Sequence, residues 1–288
     1  MDPTVPDPLP SAAGPPPEDR TDWRSWFAAL HGAPGFHHPL GARHAAALRA
    51  GGPVLIVSFE AAGAIHARCP ARLPLGFEIA RAEGWSHLCL IAEQPSWFRD
   101  PAIWAAFDGW VDDGFFEDFD EVVFFGAGMG GYAAAAFSVA APGATVVVVR
   151  PQATLAPELA EWDDRYPAAR RLDFTSRYGF APDMAEGAER LFLLYDPDDP
   201  RDAMHAALFA RPNVTRLRCR HLGPTPEAEL EAMGLLGDLL RLAGRGRPRA
   251  ASVGSAARVR QAAAGRRSGP WYPKPPPGGD RGIGSAAG

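Results

Sequence analysis

The stretch FFGAGMGGYAA, residues 124–134, joins a strongly apolar run to an alanine-rich run through four glycines. The apolar run EVVFF, residues 121–125, is β-branched and aromatic, which favours a buried strand. The alanine-rich run GYAAAAFSVAA, residues 131–141, stops before Pro142 and Gly143, which is typical of a helix end. Because glycine permits a positive φ and close backbone approach, the stretch predicts a tight strand-to-helix turn.

The sequence on both sides of this turn alternates between strand-like and helix-like segments. Six nearly continuous apolar runs have the composition of strands buried on both faces, as in a parallel sheet: residues 53–59, 86–92, 121–125, 144–150, 190–195 and 213–219. Helix-like segments lie among them, at residues 74–84, 100–113, 131–141, 199–210 and 226–244. Asp100 and Pro101 suit the N-cap and first position of one helix. The order predicts an α/β fold of three layers, doubly wound around a mostly parallel sheet of about six strands.

Composition divides the 288 residues into three parts. Residues 1–20 include seven prolines and are expected to be disordered. Residues 21–243 are predicted to form one α/β domain. Residues 244–288 are rich in Pro, Gly and Ala and carry a net charge of +8, so they are predicted to form a disordered basic tail. Since the whole chain has a net charge of −5, residues 1–243 carry −13. Acidity of the folded part disfavours nucleic-acid binding there, whereas the tail is expected to contact an anionic surface or polymer.

Several classes of protein are disfavoured. No apolar run is long enough for a membrane-spanning helix, and the N-terminal residues lack a basic start followed by an apolar stretch. The three cysteines, Cys69, Cys89 and Cys219, are far apart and form no C-x-x-C pair, so no disulfide framework is indicated. No metal site or bound cofactor is predicted. A cytoplasmic protein with reduced thiols is the simplest expectation.

The glycine turn itself has two interpretations. Gly126, Gly128 and Gly131 have the G-x-G-x-x-G spacing of a dinucleotide-binding turn. Arg150, 24 residues after Gly126, has the charge to suit the 2′-phosphate of NADP. An NADP-binding oxidoreductase is therefore one alternative. However, this turn follows the third predicted strand, whereas the dinucleotide fingerprint normally follows the first.

The second interpretation is a nucleophile elbow. The stretch from Gly126 to Gly131 resembles the G-x-S-x-G elbow of the α/β-hydrolase superfamily, with Gly128 where that family has serine. The resemblance covers roughly residues 50–243. In that family, a catalytic acid and then a catalytic histidine come after the elbow along the chain, each directly after a strand of the sheet. This resemblance implies Asp196 as the acid, with Asp198 or Asp199 as alternatives, and His221 as the histidine.

Acyl transfer in this superfamily needs a hydroxyl at the elbow, and Gly128 has none. The resemblance therefore implies a non-catalytic, hydrolase-like protein that binds a small ligand or a partner protein, with Asp196 and His221 as a remnant dyad. A hydrolase with a displaced nucleophile, such as Ser58 or Ser138, is a further alternative.

The expected ligand site lies around the elbow and the end of the first predicted strand. Its residues are Glu60, Ala61, Gly126 and Met129. The N–H of Met129 and one N–H near residues 59–61 are predicted to form an oxyanion pocket. The letters MGGYAA, followed after the next strand by Pro-Gln at residues 151–152, resemble hydrolase-like proteins found beside bacterial surface-polysaccharide genes. A link to surface-polysaccharide metabolism is therefore expected.

Overall fold

The computed structural model describes residues 35–68, 73–220, 223 and 226–246. Its centre is one eight-stranded sheet with the strand order β1-β2-β4-β3-β5-β6-β7-β8. The strands are β1 (Gly35–Leu40), β2 (His44–Arg49), β3 (Gly52–Ala61), β4 (Trp85–Ala92), β5 (Glu121–Ala127), β6 (Thr145–Val149), β7 (Arg190–Tyr195) and β8 (Val214–Arg218). Strand β2 runs antiparallel to both of its neighbours, and every other neighbouring pair is parallel. The predicted α/β class and mostly parallel sheet are confirmed.

The six predicted strands correspond to β3–β8, and the hairpin of β1 and β2 extends the sheet to eight strands. The prediction of about six strands was therefore too low. Strand β2 has the sequence HAAALR, and alanine is depleted in strands, so composition gave no signal. Pairing with β4 nevertheless buries this strand, and Ala45, Ala46 and Ala47 are fully buried. Pro39 lies in β1, at the edge of the sheet, where its missing N–H is tolerated.

Helices cover both faces of the sheet. They are α1 (Ala62–Arg68), α2 (Phe77–Glu83), α3 (Pro101–Asp112), α4 (Met129–Phe137), α5 (Pro157–Ala160), α6 (Ala181–Met184), α7 (Pro200–Leu208), α8 (Pro226–Ala232) and α9 (Leu235–Gly244). Within the described residues, short 3₁₀ helices span Phe115–Asp118, Ser138–Ala140, Ala169–Arg171 and Ala185–Gly187. The Asp100 side chain caps α3 by accepting the Ala102 N–H at 2.9 Å, as predicted. The predicted helix 226–244 is interrupted at Gly234, which has a φ of 70°.

Strand β5 shows why the apolar runs are continuous. Val122 and Phe124 belong to the hydrophobic cluster that includes residues of α3 and α4. Val123 and Phe125 belong to a second cluster, which includes residues of α9. Alternate side chains thus enter different cores, and burial of each large apolar side chain contributes about 1.5–3 kcal/mol. Both faces of the strand are buried, which is the arrangement that its composition predicted.

The long connection between β6 and β7, residues 150–189, was not assigned to any predicted element. It contains α5 and α6, and α6 packs against α4. No helix among the described residues is long and apolar enough to cross a membrane. Of the cysteines, Cys89 and Cys219 are buried, and Cys69 lies outside the described residues.

The predicted terminal segments fall largely outside the described residues, which begin at residue 35 and end at residue 246. Disorder of residues 1–20 and 247–288 therefore stays a prediction. The boundary of the folded domain lies slightly beyond the predicted residue 243, because Gly244 is the last residue of α9. A β-carbon on Gly244 would lie 2.5 Å from the Trp85 ring, so this glycine is packed against the domain.

Candidate functional site

The turn between β5 and α4 has an unusual backbone at Gly128. Its φ is 54° and its ψ is −119°, a combination that residues with a β-carbon rarely adopt. The Gly128 N–H donates to the Val149 carbonyl at 2.9 Å, and the Gly128 carbonyl accepts the Tyr132 N–H at 3.0 Å. These bonds attach the turn to β6 and start α4 directly after it. The predicted tight turn between strand and helix is confirmed, and residues 126–131 are called the elbow below.

The other glycines of the elbow are required by packing. A β-carbon on Gly126 would lie 2.2 Å from the Gly130 carbonyl oxygen, and one on Gly130 would lie 2.0 Å from the Phe59 carbonyl oxygen. A β-carbon on Gly131 would lie 3.2 Å from the Pro151 β-carbon. The absent side chains let β3, β5 and α4 approach one another closely. The G-x-G-x-x-G spacing thus has an explanation within the fold that requires no bound dinucleotide.

Gly128 differs from these glycines because it faces open space. A β-carbon there would meet no atom of the described residues within 4 Å. Strands β3 and β5 are neighbours, while β4 and β6 lie on opposite sides of them, so the strand order reverses at this point. Ligands of open α/β sheets bind at such switch points, outside the carboxyl ends of the strands. The open volume beside the Gly128 Cα is called the elbow space below.

Backbone donors border the elbow space. The N–H groups at residues 129–131 belong to the first turn of α4, and such groups have no partner within a helix. They lie at the positive end of the helix dipole, where an anion or a polarised oxygen is stabilised. The contact between Gly130 and the Phe59 carbonyl places the end of β3 beside them. The contact is made by a carbonyl oxygen, so the second donor near residues 59–61, and with it the oxyanion pocket, stays a prediction.

Glu60 and Ala61, predicted to bind a ligand, are the last two residues of β3. Glu60 is only 6% exposed, and its carboxylate accepts the Leu75 N–H at 2.5 Å. This bond holds the segment before α2 against the end of the sheet. Ala61 pairs with Ala92 at the end of β4. Both residues lie at the carboxyl edge of the sheet, where the ligand site is predicted, and ligand binding by either one stays a prediction.

The predicted acid, Asp196, directly follows β7. Its carboxylate accepts the Asp198 N–H at 2.9 Å, which forms a tight turn. Asp198 in turn accepts a hydrogen bond from the Arg220 guanidinium at 2.5 Å. Asp199 caps α7 by accepting the Arg201 N–H at 2.8 Å. All three aspartates thus make local structural contacts, and which of them serves as the acid stays a prediction.

The predicted histidine, His221, lies outside the described residues. Its pairing with Asp196 below the elbow therefore stays a prediction. Strand β8 ends at Arg218, three residues before it, and runs parallel to β7. The order of elbow, acid and histidine along the chain is the order that the resemblance to α/β-hydrolases implies.

A polar cluster of Ser96, His44 and Asp100 lies beside the elbow and was not predicted from the sequence. The Met129 sulfur accepts the Ser96 N–H at 3.1 Å, so the loop after β4 lies against the elbow. The Ser96 hydroxyl lies 2.8 Å from His44 Nε2, and His44 Nδ1 lies 3.5 Å from a carboxylate oxygen of Asp100. His44 begins the unpredicted strand β2, and no sequence spacing connects it to residue 96. A prediction of the hairpin would have placed His44 at the carboxyl edge of the sheet.

Strain is concentrated around the same loop. Within the described residues, the non-glycine residues with positive φ are Trp97, Phe98, Arg150 and Tyr178. Such residues cost free energy, on the order of 1–3 kcal/mol each, and they cluster at functional sites. Trp97 is held by a 3.0 Å hydrogen bond from its indole N–H to the side-chain oxygen of Gln152. The strained segments 97–98 and 150 are thereby connected across the carboxyl end of the sheet.

Arg150, the residue proposed for an NADP phosphate, is also at this end of the sheet. Its φ is 40°, and its guanidinium lies 3.9 Å from the Glu227 carboxylate. Its N–H donates to the Leu194 carbonyl at 2.6 Å. The side chain thus has an acidic neighbour on α8, which offsets the positive charge that a phosphate would need. NADP binding stays an untested alternative.

Arg99 attaches the long connection to the elbow helix. Its guanidinium donates to the Asp173 carbonyl at 2.7 Å, to the Ser176 hydroxyl at 3.0 Å, and to the Arg177 carbonyl. It also lies over the Trp104 ring, 4.8 Å from the ring centroid. From α4, the Tyr132 hydroxyl donates to the Tyr178 carbonyl. Burial raises the pKa of Tyr132, so its hydroxyl keeps the proton that it donates.

A second polar cluster fixes the other end of this connection. His205 Nδ1 accepts the Ala153 N–H at 3.2 Å, so Nε2 carries the hydrogen and donates to Asp163 at 2.9 Å. Arg165 bridges Asp163 and Asp202 at 2.9 and 2.7 Å. Burial alone would raise the pKa of Asp163, but hydrogen bonds from His205 and Arg165 hold it below its usual range. Asp163, Arg165, Asp202 and His205 are called the buried network below.

No metal centre accompanies these clusters within the described residues, which contain no group of three or more His, Cys, Asp and Glu arranged to hold an ion. No family model and no curated protein sequence matches the chain. The family of the protein is therefore not established by sequence.

Similar solved structures include a glycosylation-associated protein complex, a capsule O-acetyltransferase and a carboxylesterase. The glycosylation-associated protein complex Gap123 from Streptococcus agalactiae matches with a TM-score of 0.48 and 14% identity, over 72% of this chain and 46% of that chain. The capsule O-acetyltransferase of Neisseria meningitidis serogroup A matches with a TM-score of 0.45 and 11% identity, over 70% and 93% of the two chains. The thermophilic carboxylesterase EstE1 from a metagenomic library matches with a TM-score of 0.46 and 14% identity, over 84% and 94%.

The chain spans less than half of the length of the glycosylation-associated chain. All three TM-scores are below 0.5 and all three identities are below 25%, so no activity follows from them. The sheet topology of this chain carries the description of the fold, which is α/β with a mostly parallel sheet and flanking helices.

Proposed function

We propose that the protein binds a small ligand in the elbow space and that the elbow supplies backbone donors but no nucleophile. The observation that supports this most strongly is Gly128. Its backbone has a conformation that would strain the non-glycine residue of a nucleophile elbow, its side chain is absent, and no described residue fills the volume that a side chain would enter. A glycine needed only for packing would be crowded, as Gly126 and Gly130 are.

The donors that border this space suit a ligand oxygen. N–H groups at residues 129–131 and at the end of β3 stabilise a carbonyl or carboxylate oxygen without any side chain. A protein that lost the nucleophile but kept these donors would still hold an acyl group. Asp196 and His221 then form a remnant dyad that assists binding and performs no acyl transfer with position 128.

The ligand class we propose is an acylated sugar, in keeping with the expected link to surface polysaccharides. That link rests on the sequence resemblance of MGGYAA and Pro151-Gln152. Both parts of this motif lie next to the elbow: Pro151 packs on Gly131, and Gln152 bonds Trp97. The motif residues therefore shape the proposed site. A loop of a partner protein that presents an acyl-like carbonyl is the alternative occupant.

Isothermal titration calorimetry with the full chain tests this proposal. The probes are N-acetylglucosamine and its non-acetylated counterpart, glucosamine. We expect the acetylated sugar to bind wild-type protein, and Gly128→Leu to weaken that binding at least tenfold because leucine fills the elbow space. Gly143→Leu is the matched control, since Gly143 also has a positive φ and open surroundings but precedes β6 at the other end of the sheet.

Two results would contradict the proposal. One is the absence of binding by either sugar at millimolar concentration. The other is equal binding by wild type and Gly128→Leu, which would place the ligand elsewhere. Circular dichroism of both leucine variants establishes that they are folded before titration.

The NADP alternative is tested separately by thermal unfolding. A single ligand at 100 times its Kd stabilises a protein by about 2.7 kcal/mol, which raises the melting temperature clearly. We expect no shift with NADPH, because packing accounts for three of the elbow glycines and Arg150 faces Glu227. A shift that Arg150→Ala removes would establish the dinucleotide site instead.

A further inference from the structure

The trio of Ser96, His44 and Asp100 has the connectivity of an acyl-transfer triad. The Ser96 hydroxyl lies 2.8 Å from His44 Nε2, and the opposite ring nitrogen, Nδ1, lies 3.5 Å from Asp100. A nucleophile, a base on its hydroxyl and an acid on the far nitrogen of the base are the three roles that such chemistry requires. The Gly128 elbow contributes none of these side chains.

The hydrogen-bond partners of Ser96 agree with a nucleophilic role. The Ser96 oxygen accepts the Phe98 N–H at 3.2 Å, so its own hydrogen is available to donate to His44 Nε2. This requires His44 to carry its hydrogen on Nδ1, the nitrogen that faces Asp100. The 3.5 Å separation is longer than a hydrogen bond, and catalytic contacts are often long before a substrate is bound.

The location of the trio also fits. Ser96 lies in the loop after β4, and its N–H donates to the sulfur of Met129, the first residue of α4. His44 begins β2, which is antiparallel and therefore starts at the carboxyl edge of the sheet. His44 is 1% exposed, whereas Ser96 is half-buried and so reachable. The trio thus stands at the edge where the proposed ligand is held.

A second serine–histidine pair shows what a purely structural contact looks like. The Ser58 hydroxyl lies 2.9 Å from His87 Nε2, a similar distance. Both residues are fully buried in adjacent strands, β3 and β4, where no substrate reaches them. Ser138, the other serine considered in the sequence, is also fully buried and donates to the Ala135 carbonyl. Among these three serines, only Ser96 combines a histidine, a carboxylate and access.

We propose that Ser96 is a displaced nucleophile that cleaves an acyl ester held in the elbow space, with His44 as general base and Asp100 as the residue that orients His44. This inference rests on the proposed ligand site and adds a reaction to it. The Ser96 oxygen bonds to the ester carbonyl carbon while its proton passes to His44 Nε2. The carbon–oxygen bond of the ester then breaks, and the alcohol leaves with that proton.

Water completes the cycle. It attacks the acyl carbon of acyl-Ser96 and gives a proton to His44, and the Ser96 oxygen leaves and takes that proton back. The products are an alcohol and a carboxylic acid, and no other reactant is consumed. Charge that develops on the carbonyl oxygen is stabilised by first-turn N–H groups of α4.

Labelling of the full chain with a fluorophosphonate probe, followed by peptide mass spectrometry, tests the inference. We expect stoichiometric labelling of Ser96 and slow hydrolysis of p-nitrophenyl acetate. Ser96→Ala should reduce both to background, and His44→Gln should slow hydrolysis at least about 100-fold. Ser58→Ala is the matched control and should retain wild-type labelling.

Asp100→Asn examines the positioning role. Asparagine caps a helix as well as aspartate does, so α3 and the melting temperature should be unchanged. Hydrolysis should nevertheless slow about tenfold or more, with kcat affected and KM nearly unchanged. An unchanged kcat would remove Asp100 from the mechanism.

Absence of labelling in the wild type, labelling of another serine, or labelling that survives Ser96→Ala would each overturn the inference. These outcomes leave the proposed ligand site unaffected, because the calorimetric titration with Gly128→Leu measures binding without chemistry. Conversely, labelled Ser96 in a protein that binds no acetylated sugar would reject the ligand class and retain the nucleophile.

Discussion

The elbow and the buried network lie at the same end of the sheet but are organised in opposite ways. In the buried network every charged group has a partner: Asp163 accepts from His205 and Arg165, and Arg165 also binds Asp202. At the elbow, Gly128 has a backbone conformation that would strain a residue with a β-carbon, and no described residue fills the adjoining space. A fully paired and closed cluster stabilises the fold, whereas an open volume beside a specialised backbone turn is what a binding site needs.

The largest expected loss of stability comes from removing the Asp163 side chain from the buried network. Asp163→Ala leaves Arg165 and His205 buried without their shared partner, and loss of one member of a buried ion pair costs about 3–5 kcal/mol. Urea unfolding measures the loss. Asp108→Ala removes an exposed pair with Arg177 and should cost at most about 1 kcal/mol. Equal losses in the two variants would mean that the network contributes no more than a surface pair.

A methyl group added at Gly130, the most crowded glycine of the elbow, should cause the next largest loss of stability. In Gly130→Ala the new methyl group would overlap the Phe59 carbonyl oxygen, which belongs to the backbone of β3 and has little freedom to move. Overpacking of this kind typically costs 1–3 kcal/mol, and here we expect about 3 kcal/mol or more. Failure to express folded protein agrees with this expectation, and wild-type stability would contradict the packing that places β3 beside α4.

A methyl group at Gly128 should be tolerated better than one at Gly130. It meets no atom of the described residues, so we expect only the backbone conformation to oppose it, at about 1–3 kcal/mol. Gly143→Ala, also at a positive φ in open surroundings, should cost a similar amount. Comparison of the urea midpoints of the three alanine variants checks the ranking. If Gly128→Ala is as damaging as Gly130→Ala, the elbow space is not open.

The smallest effect concerns acid stability. Because the folded-state pKa of Asp163 is lowered, its contribution is fully present above the unfolded value of about 3.9 and is lost as pH falls through the folded value. Wild-type protein should therefore lose more stability than Asp163→Asn between about pH 4 and pH 2. Urea unfolding at pH 5, 4, 3 and 2 measures the difference. Parallel pH profiles would show that Asp163 is not ionised in the network.

Local sequence patterns predicted much of the fold. The apolar runs of β3–β7 identified these strands because each is buried on both faces, whereas β8 lies at the edge of the sheet and only its Leu217 is buried. Glycine spacing identified the elbow because close packing and a positive φ exclude other residues. The hairpin of β1 and β2 was missed because its alanines gain their burial only from pairing with β4. The burial of β2 comes from its tertiary contacts, so no local sequence pattern indicates it.

The site was less predictable than the fold. Gly128, Met129, Glu60 and Asp196 follow predicted strands closely, so position along the chain was enough to propose them, and their role in binding stays a prediction. Ser96, His44 and Asp100 come together through the missed hairpin and a strained loop, and residues 44 and 96 are far apart in sequence. Their contact depends on the antiparallel pairing of β2 with β4.

The central claim, that a ligand is held in the elbow space, is tested most directly by nuclear magnetic resonance. Amide shifts of ¹⁵N-labelled full-length protein are followed during titration with N-acetylglucosamine. We expect the largest changes at Met129, Gly130 and Gly131, with smaller changes at Ser96, and no change at Gly143. Unchanged amides at the elbow, or changes centred on another part of the molecule, would contradict the claim.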